Sequence, residues 1–118
     1  MGDLKVPDNL SSIMRDRYYQ DNEDNIQQVF NRVAKFVAGG EEQYGWSDED
    51  IKELQNQYYD MMNSNLFIPS SPFLMNSGTK LPMVFACFLV GGIDDDLGAI
   101  YKGIARQGMI NKQGGKLI

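Results

Sequence analysis

Apolar side chains recur at helical spacing along most of the chain, and between Met83 and Val90 that spacing gives way to an unbroken apolar run. Leu10 to Tyr19 predicts a short helix, with Asp8 or Asn9 as its cap and Ile13, Met14 and Tyr18 on one side. Ile26, Phe30, Val33 and Val37 follow at i, i+4, i+7 and i+11, one stripe of an amphipathic helix over Glu23–Val37. Gly39-Gly40 is the expected left-handed stop. Ser47-Asp48-Glu49-Asp50 opens the next helix, over Asp48–Met62: the Ser47 hydroxyl can take a free amide, and three carboxylates suit the positive helix end. Ile51, Leu54, Tyr58 and Met61 carry its apolar face.

Phe67 to Pro82 reads as extended and turn-rich. Pro69 and Pro72 bias their predecessors away from helix, and Asn76-Ser77-Gly78 makes a turn. Pro82 then opens the 83–90 run. A strand covered on one face alternates apolar and polar, whereas a run without alternation is covered on both, so 83–90 is predicted to be a central, buried strand. Phe85, Cys87 and Leu89 point one way, and Val84, Ala86, Phe88 and Val90 the other. After Gly91-Gly92 and the acidic turn 94–96, Leu97, Ile100 and Ile104 keep helical spacing to about Asn111. Gly98, Gly103 and Gly108 each weaken that helix by up to ~1 kcal/mol relative to alanine, so it needs packing, or close approach by a neighbour. The closing GGKLI is not expected to build a core. One strand cannot satisfy its own backbone groups. Either it pairs with another molecule or the chain belongs to something larger, and the second reading is preferred.

Composition narrows the function classes. With 118 residues and a net charge of −5, the basic residues scattered, the chain is a poor partner for nucleic acid or an anionic membrane surface. No apolar run approaches the roughly 20 residues of a membrane span, and the start lacks the pattern of a signal peptide, so a cytoplasmic location is expected. One cysteine forms no internal disulfide, which suits a reducing compartment. There is no histidine, which removes the commonest general base and metal ligand, and no metal site is expected.

The candidate chemistry has plain readings beside functional ones. Cys87 is either a small buried hydrophobe, the plainer reading, or a redox thiol whose partner lies elsewhere. Ser70 and Ser71 are turn formers before a proline, or donors facing a polar ligand; without histidine neither is an activated nucleophile. Asp94 to Asp96 is a helix cap, or a contact to a ligand hydroxyl or magnesium. Gly114-Gly115 is a helix stop, or a place where backbone amides approach a ligand.

Taken together, FIPSSPFLMNSGTKLPMVFACFLV, the acidic turn and a helix ending NKQGG resemble the start of the catalytic barrel of ribonucleotide reductase large chains. The adenosylcobalamin-dependent class is the most similar, with its Leu-Pro-Asn-Ser-Pro-Thr-Leu-Met-Asn-Ala-Gly-Thr pattern, Ala-Cys-Phe strand and Lys-Ser-Gly-Gly-Gly-Thr-Gly-Phe loop. The preceding helices match too, including Val29 to Lys35, and the resemblance spans Pro7 to Gly115. It implies an α/β fold in which helices (residues 1–66) lead into the first strand and helix (67–118) of a ten-stranded α/β barrel, mostly helical as an isolated piece. Cys87 would be one of two thiols that reduce the ribose. Ser71, Ala86, Cys87 and Gly115 would contact substrate, with Gly114 and Gly115 beginning the glycine loop. Asp95, Asp96 and Leu97, with Asp94 as an alternative register, would contact a deoxynucleoside triphosphate or ATP effector at the dimer interface.

The chain departs from the family where Lys116-Leu117-Ile118 replaces a third glycine, Thr, Gly and Phe. The radical-forming cysteine, the second redox thiol and most adenosylcobalamin contacts would then belong to the remaining barrel, supplied by a split gene, lost through an intervening element or frameshift, or lying outside this piece of a longer protein. By itself the chain is expected to be inactive. The alternative is a non-catalytic helical module that binds partners through the 83–90 strand edge.

Overall fold

The computed structural model describes residues 4–112 and 115–117. It divides into two units, Met1–Val84 and Phe85–Ile118.

The first unit is helical. A 3₁₀ turn at Asp8–Leu10 runs into α1 (Ser11–Arg17), followed by α2 (Ile26–Ala38), α3 (Asp48–Asn63) and α4 (Ser71–Asn76). α2 starts where local chemistry allows: the Asn25 side chain accepts from the Gln28 amide (3.0 Å), and Gln28 reaches back to the Asp24 amide (2.7 Å). This reciprocal pair works like a capping box. The buried face of α2 is Ile26, Val29, Phe30, Val33, Ala34 and Ala38. The predicted stripe is correct at Ile26, Phe30 and Val33; Val37 is exposed, and Ala38 lies inside instead. Met62 of α3 and Leu74 of α4 complete the core, with Met14, Tyr18, Tyr19, Tyr58 and Tyr59 packed around it. Burial pushes the Tyr19 phenol above the ordinary tyrosine value, against the nearby Arg15.

α3 begins as expected, with the Ser47 hydroxyl accepting from the Asp50 amide (3.2 Å). Its buried face is only partly rotated from the predicted one: Ile51, Leu54 and Tyr58 are half-buried, Gln55 and Met62 are buried, and Met61 is exposed. Gln55 is satisfied by donating to Asn31 on α2 (2.9 Å). Two turn assignments change. After α2 the backbone continues as a 3₁₀ turn over Gly39–Tyr44, and the left-handed residue is Gly45 (φ 79°), not Gly39 or Gly40. The Phe67–Pro82 segment, predicted extended, contains α4. Pro72 falls within the first helical turn, where a missing N–H costs nothing, and Leu74 is drawn into the core. The predicted 76–78 turn is present, with the Thr79 amide donating to the Asn76 carbonyl (3.2 Å) and Gly78 at φ 70°.

Arg32, on α2, joins these pieces. Its guanidinium pairs with Glu23 through Nε (2.7 Å) and Nη2 (3.1 Å). The same group donates to the carbonyls of Tyr18 (3.2 Å), Leu74 (3.0 Å) and Ser77 (2.7 Å). A cation placed on the last carbonyls of α4 satisfies acceptors that the short helix leaves open. Glu23 also accepts from the Gln20 amide (2.9 Å), and Gln20 donates to the Met75 carbonyl (3.0 Å).

The second unit is a small β-α-β arrangement: β1 (Cys87–Phe88), α5 (Leu97–Lys112) and β2 (Lys116–Leu117). β1 and β2 pair in parallel, Cys87 opposite Lys116 and Phe88 opposite Leu117. Two expectations are corrected here. The closing segment, not expected to build a core, supplies the short strand β2, so the backbone partner expected from another molecule or a larger protein is found in part within the chain. The predicted 83–90 strand is in a ladder only at two residues, and none of its residues is buried. Phe85 is 69% exposed and Leu89 82%. The alternation is nevertheless kept: Phe85, Cys87 and Leu89 are exposed, while Val84, Ala86, Phe88 and Val90 are half-buried. The physical reason is simple. A strand apolar on both faces needs covering layers, and the one strand paired with it among the described residues is two residues long. α5 has the same property: Leu97, Ile100 and Ile104, its predicted apolar stripe, are all exposed.

Replacing Arg32 by methionine keeps much of the side-chain bulk but leaves the Glu23 carboxylate, 5% exposed, without its countercharge. Urea unfolding followed by helical circular dichroism is expected to show a loss of about 2–4 kcal/mol. Ser77→Ala is expected to be neutral or stabilising by up to about 1 kcal/mol, because the Ser77 hydroxyl is buried with no hydrogen-bond partner.

Candidate functional site

The candidate residues fall on three places. Ser71, the first residue of α4, is exposed in the first unit. Its hydroxyl lies 3.0 Å from the phenol oxygen of Tyr18, a contact across 53 positions of sequence. Both residues line an apolar hollow of about 500 Å³ whose walls include Met14, Phe30 and Leu74. Ser71 thus starts a helix, where a turn former was the plainer expectation, and is exposed at the edge of this hollow.

The second group is in the second unit. Cys87 is exposed, not sealed in a buried strand as predicted, and Ala86 beside it is half-buried. The Cys87–Lys116 pairing brings Gly115 next to this strand. Gly115 is buried, and its amide donates to the Ile110 carbonyl at the end of α5 (3.0 Å). A Cβ at this position would stand 2.6 Å from the Phe88 ring and 2.7 Å from the Ile110 methyl, so only glycine fits without rearrangement. Cys87, Ala86 and Gly115 thus share one end of the β-α-β unit. Gly114 lies outside the described residues.

The third group is at the other end of α5. The Asp96 carboxylate accepts from the Ala99 amide (2.9 Å) and caps the helix, as the plainer reading of the acidic run expected. Asp95 and Leu97 are exposed. The 16 residues of α5 rise roughly 24 Å, so these residues and Gly115 are separated by a helix length. Gly103, midway, is where Ile93 makes the close approach that a glycine-weakened helix needs: a Cβ there would meet the Ile93 side chain at 2.7 Å. Among the described residues, no group of three or more carboxylate, thiol or imidazole side chains could hold a metal ion. No described helix is long and apolar enough to cross a membrane.

Tyr18, Glu23 and Arg32 were not singled out by sequence reasoning. Tyr18 was read as a core residue, and nothing in its spacing indicates that its hydroxyl reaches Ser71. Arg32 lies off the apolar stripe of α2, so its spacing gave no signal.

Residues 8–82 match the family model described as "Ribonucleotide reductase, all-alpha domain". The chain belongs to the ribonucleotide reductase family, a family of oxidoreductases. Among its relatives is the vitamin B12-dependent ribonucleoside-diphosphate reductase of Mycobacterium tuberculosis (strain CDC 1551 / Oshkosh), 27% identical over 96% of this chain and 17% of that protein. The ribonucleoside-diphosphate reductase large chain of Schizosaccharomyces pombe is 38% identical over 75% of this chain and 10% of that protein. The vitamin B12-dependent enzyme of Thermoplasma acidophilum is 38% identical over 51% of this chain and 8% of its own length. The chain spans less than a fifth of the curated relatives it matches. The resemblance expected from the Pro7–Gly115 motifs is therefore established at the level of the family.

Gly115→Ala is expected to separate β1 from the end of α5. A nuclear Overhauser contact between the Phe88 ring and the Ile110 methyl should be seen in the unmodified chain and lost in the variant. Overpacking of this kind costs roughly 1–3 kcal/mol, and persistence of the contact with unchanged chemical shifts would contradict the close packing described.

Proposed function

We propose that this chain provides the helical region (1–66) and the opening strand and helix (67–118) of a ribonucleotide reductase barrel, and that it acts only with the polypeptide that completes that barrel. The observation that carries this reading is the state of the 83–90 segment. It has the composition of a strand covered on both faces, yet Phe85 and Leu89 are 69% and 82% exposed, with Cys87 between them. Further strands of a ten-stranded barrel would supply the missing layers and pair the open edges.

In the completed barrel Cys87 serves as one of two reducing thiols. Conversion of a ribonucleoside di- or triphosphate to its deoxy form replaces the 2′-hydroxyl by hydrogen and releases water. The two electrons come from two thiols, which end as a disulfide. This chain contains a single cysteine, so the second sulfur has to come from the completing polypeptide, and the chain alone turns over nothing. Ser71, Ala86 and Gly115 bind the substrate, and Asp95, Asp96 and Leu97 bind the nucleotide effector.

Some relatives carry vitamin B12 in their names. Adenosylcobalamin, when bound, supplies the radical. We assign most of its contacts to the completing polypeptide, as the resemblance to the adenosylcobalamin-dependent class implies. What this chain contributes is the thiol, its strand and the substrate contacts. The glycine at position 115 lets backbone come close to that strand, since no side chain intervenes.

Complementation tests the proposal. The chain mixed with a polypeptide carrying the remaining barrel is expected to form deoxynucleotides with adenosylcobalamin and a dithiol, while neither polypeptide does so alone. Cys87→Ser is expected to cut dithiol-supported turnover by at least about 100-fold, because one of the two reducing equivalents is gone. Turnover that survives this substitution would refute the role of Cys87.

A further inference from the structure

We propose that Tyr18 is a positioning residue for substrate binding: its phenol fixes the proton of the Ser71 hydroxyl so that Ser71 donates to a phosphate oxygen of the ribonucleotide. The inference rests on the reading of Ser71 as a substrate contact and extends it to a residue of α1's C-terminal end.

A serine hydroxyl has one proton to give and can accept at its oxygen. Ionised phosphate oxygens only accept. The Tyr18 and Ser71 oxygens are 3.0 Å apart, and either can donate while no ligand is present. Once Ser71 gives its proton to a phosphate, it can only accept from Tyr18, so the phenol becomes the donor. The result is a directed relay, Tyr18 O–H to Ser71 O–H to phosphate, in which each bond polarises the next. Ser71 is exposed and can be reached by such a ligand, whereas Tyr18 is half-buried behind it.

The backbone on both sides of the pair is held at several points. The Tyr18 amide donates to the Met14 carbonyl (2.9 Å), and the Tyr18 carbonyl accepts from Arg32 (3.2 Å). Arg32 also takes the carbonyls of Leu74 and Ser77, at the far end of the helix that Ser71 begins. One guanidinium therefore fixes the backbone of Tyr18 and the helix carrying Ser71. The backbones that carry the phenol and the hydroxyl are thus held by contacts other than the hydrogen bond between them. Loss of the phenolic oxygen should leave the fold in place and remove only the orientation of the Ser71 proton.

The test is a double-mutant cycle in the reductase assembled from this chain and its completing polypeptide. Tyr18→Phe is expected to raise KM for the ribonucleotide roughly three- to tenfold, with kcat within about twofold and the melting temperature unchanged. Ser71→Ala should raise KM at least as much, and adding Tyr18→Phe to it should change nothing further, since the relay is already cut. In Ser71→Thr, which keeps the hydroxyl, Tyr18→Phe should again raise KM. An unchanged KM in Tyr18→Phe, or effects that multiply in the double variant, would overturn the role of Tyr18 while leaving Ser71 as a contact. An unchanged KM in Ser71→Ala would instead overturn the Ser71 reading, and the relay with it.

Discussion

The helical unit depends on one guanidinium. Arg32 projects from α2, the most buried helix of the chain, and meets the Glu23 carboxylate together with carbonyls from Tyr18, Leu74 and Ser77. An apolar stripe can press helices together, but it does not fix which turn of one faces which turn of another. Charge-assisted hydrogen bonds with a planar five-donor fork do so, because few arrangements satisfy the donors at once. Since those donors are shielded from water, the arrangement is costly to leave half-made. The segments held this way, 18–23 and 74–77, are far apart in sequence, and the Ser71 turn lies just before the second.

This explains what could be read from the sequence and what could not. α2 and α3 were legible because their signals are local: apolar spacing and the Ser47 cap. α5 was legible from Asp96 and the Leu97-Ile100-Ile104 spacing. The helix α4 was not, because its proline-containing sequence argues locally for extended structure. Its formation depends on Leu74 entering the core and on Arg32 taking its last carbonyls. The rotation of the α3 face has the same origin: Gln55 can be buried only because Asn31 on α2 receives its amide. Tertiary partners decided these places, and partners are not written in the periodicity of one segment.

The candidate site divides in the same manner. Motif likeness pointed to Ser71, Ala86, Cys87 and Gly115, and the geometry relates the last three to one end of the β-α-β unit. It did not point to Tyr18, whose hydroxyl is aimed at Ser71 by a scaffold visible only in three dimensions. The burial expected for 83–90 was inferred from composition, and composition describes the environment a segment is selected for. The exposed Phe85, Leu89 and Ile104 show that environment to be incomplete among the described residues. A sequence suited to a covered strand, found uncovered, carries information about what must lie against it.

In the proposed assembly the helical unit stands by its own packing, whereas 83–90 acquires its protection from the completing polypeptide. Amide hydrogen exchange tests this most directly, measured on the chain alone and again with the completing barrel polypeptide present. Amides of α2 are expected to exchange slowly in both samples, while those of Val84–Leu89 exchange within about two orders of magnitude of unfolded rates in the chain alone and slow sharply in the assembly. Amides of Val84–Leu89 as protected as α2 in the chain alone would contradict it.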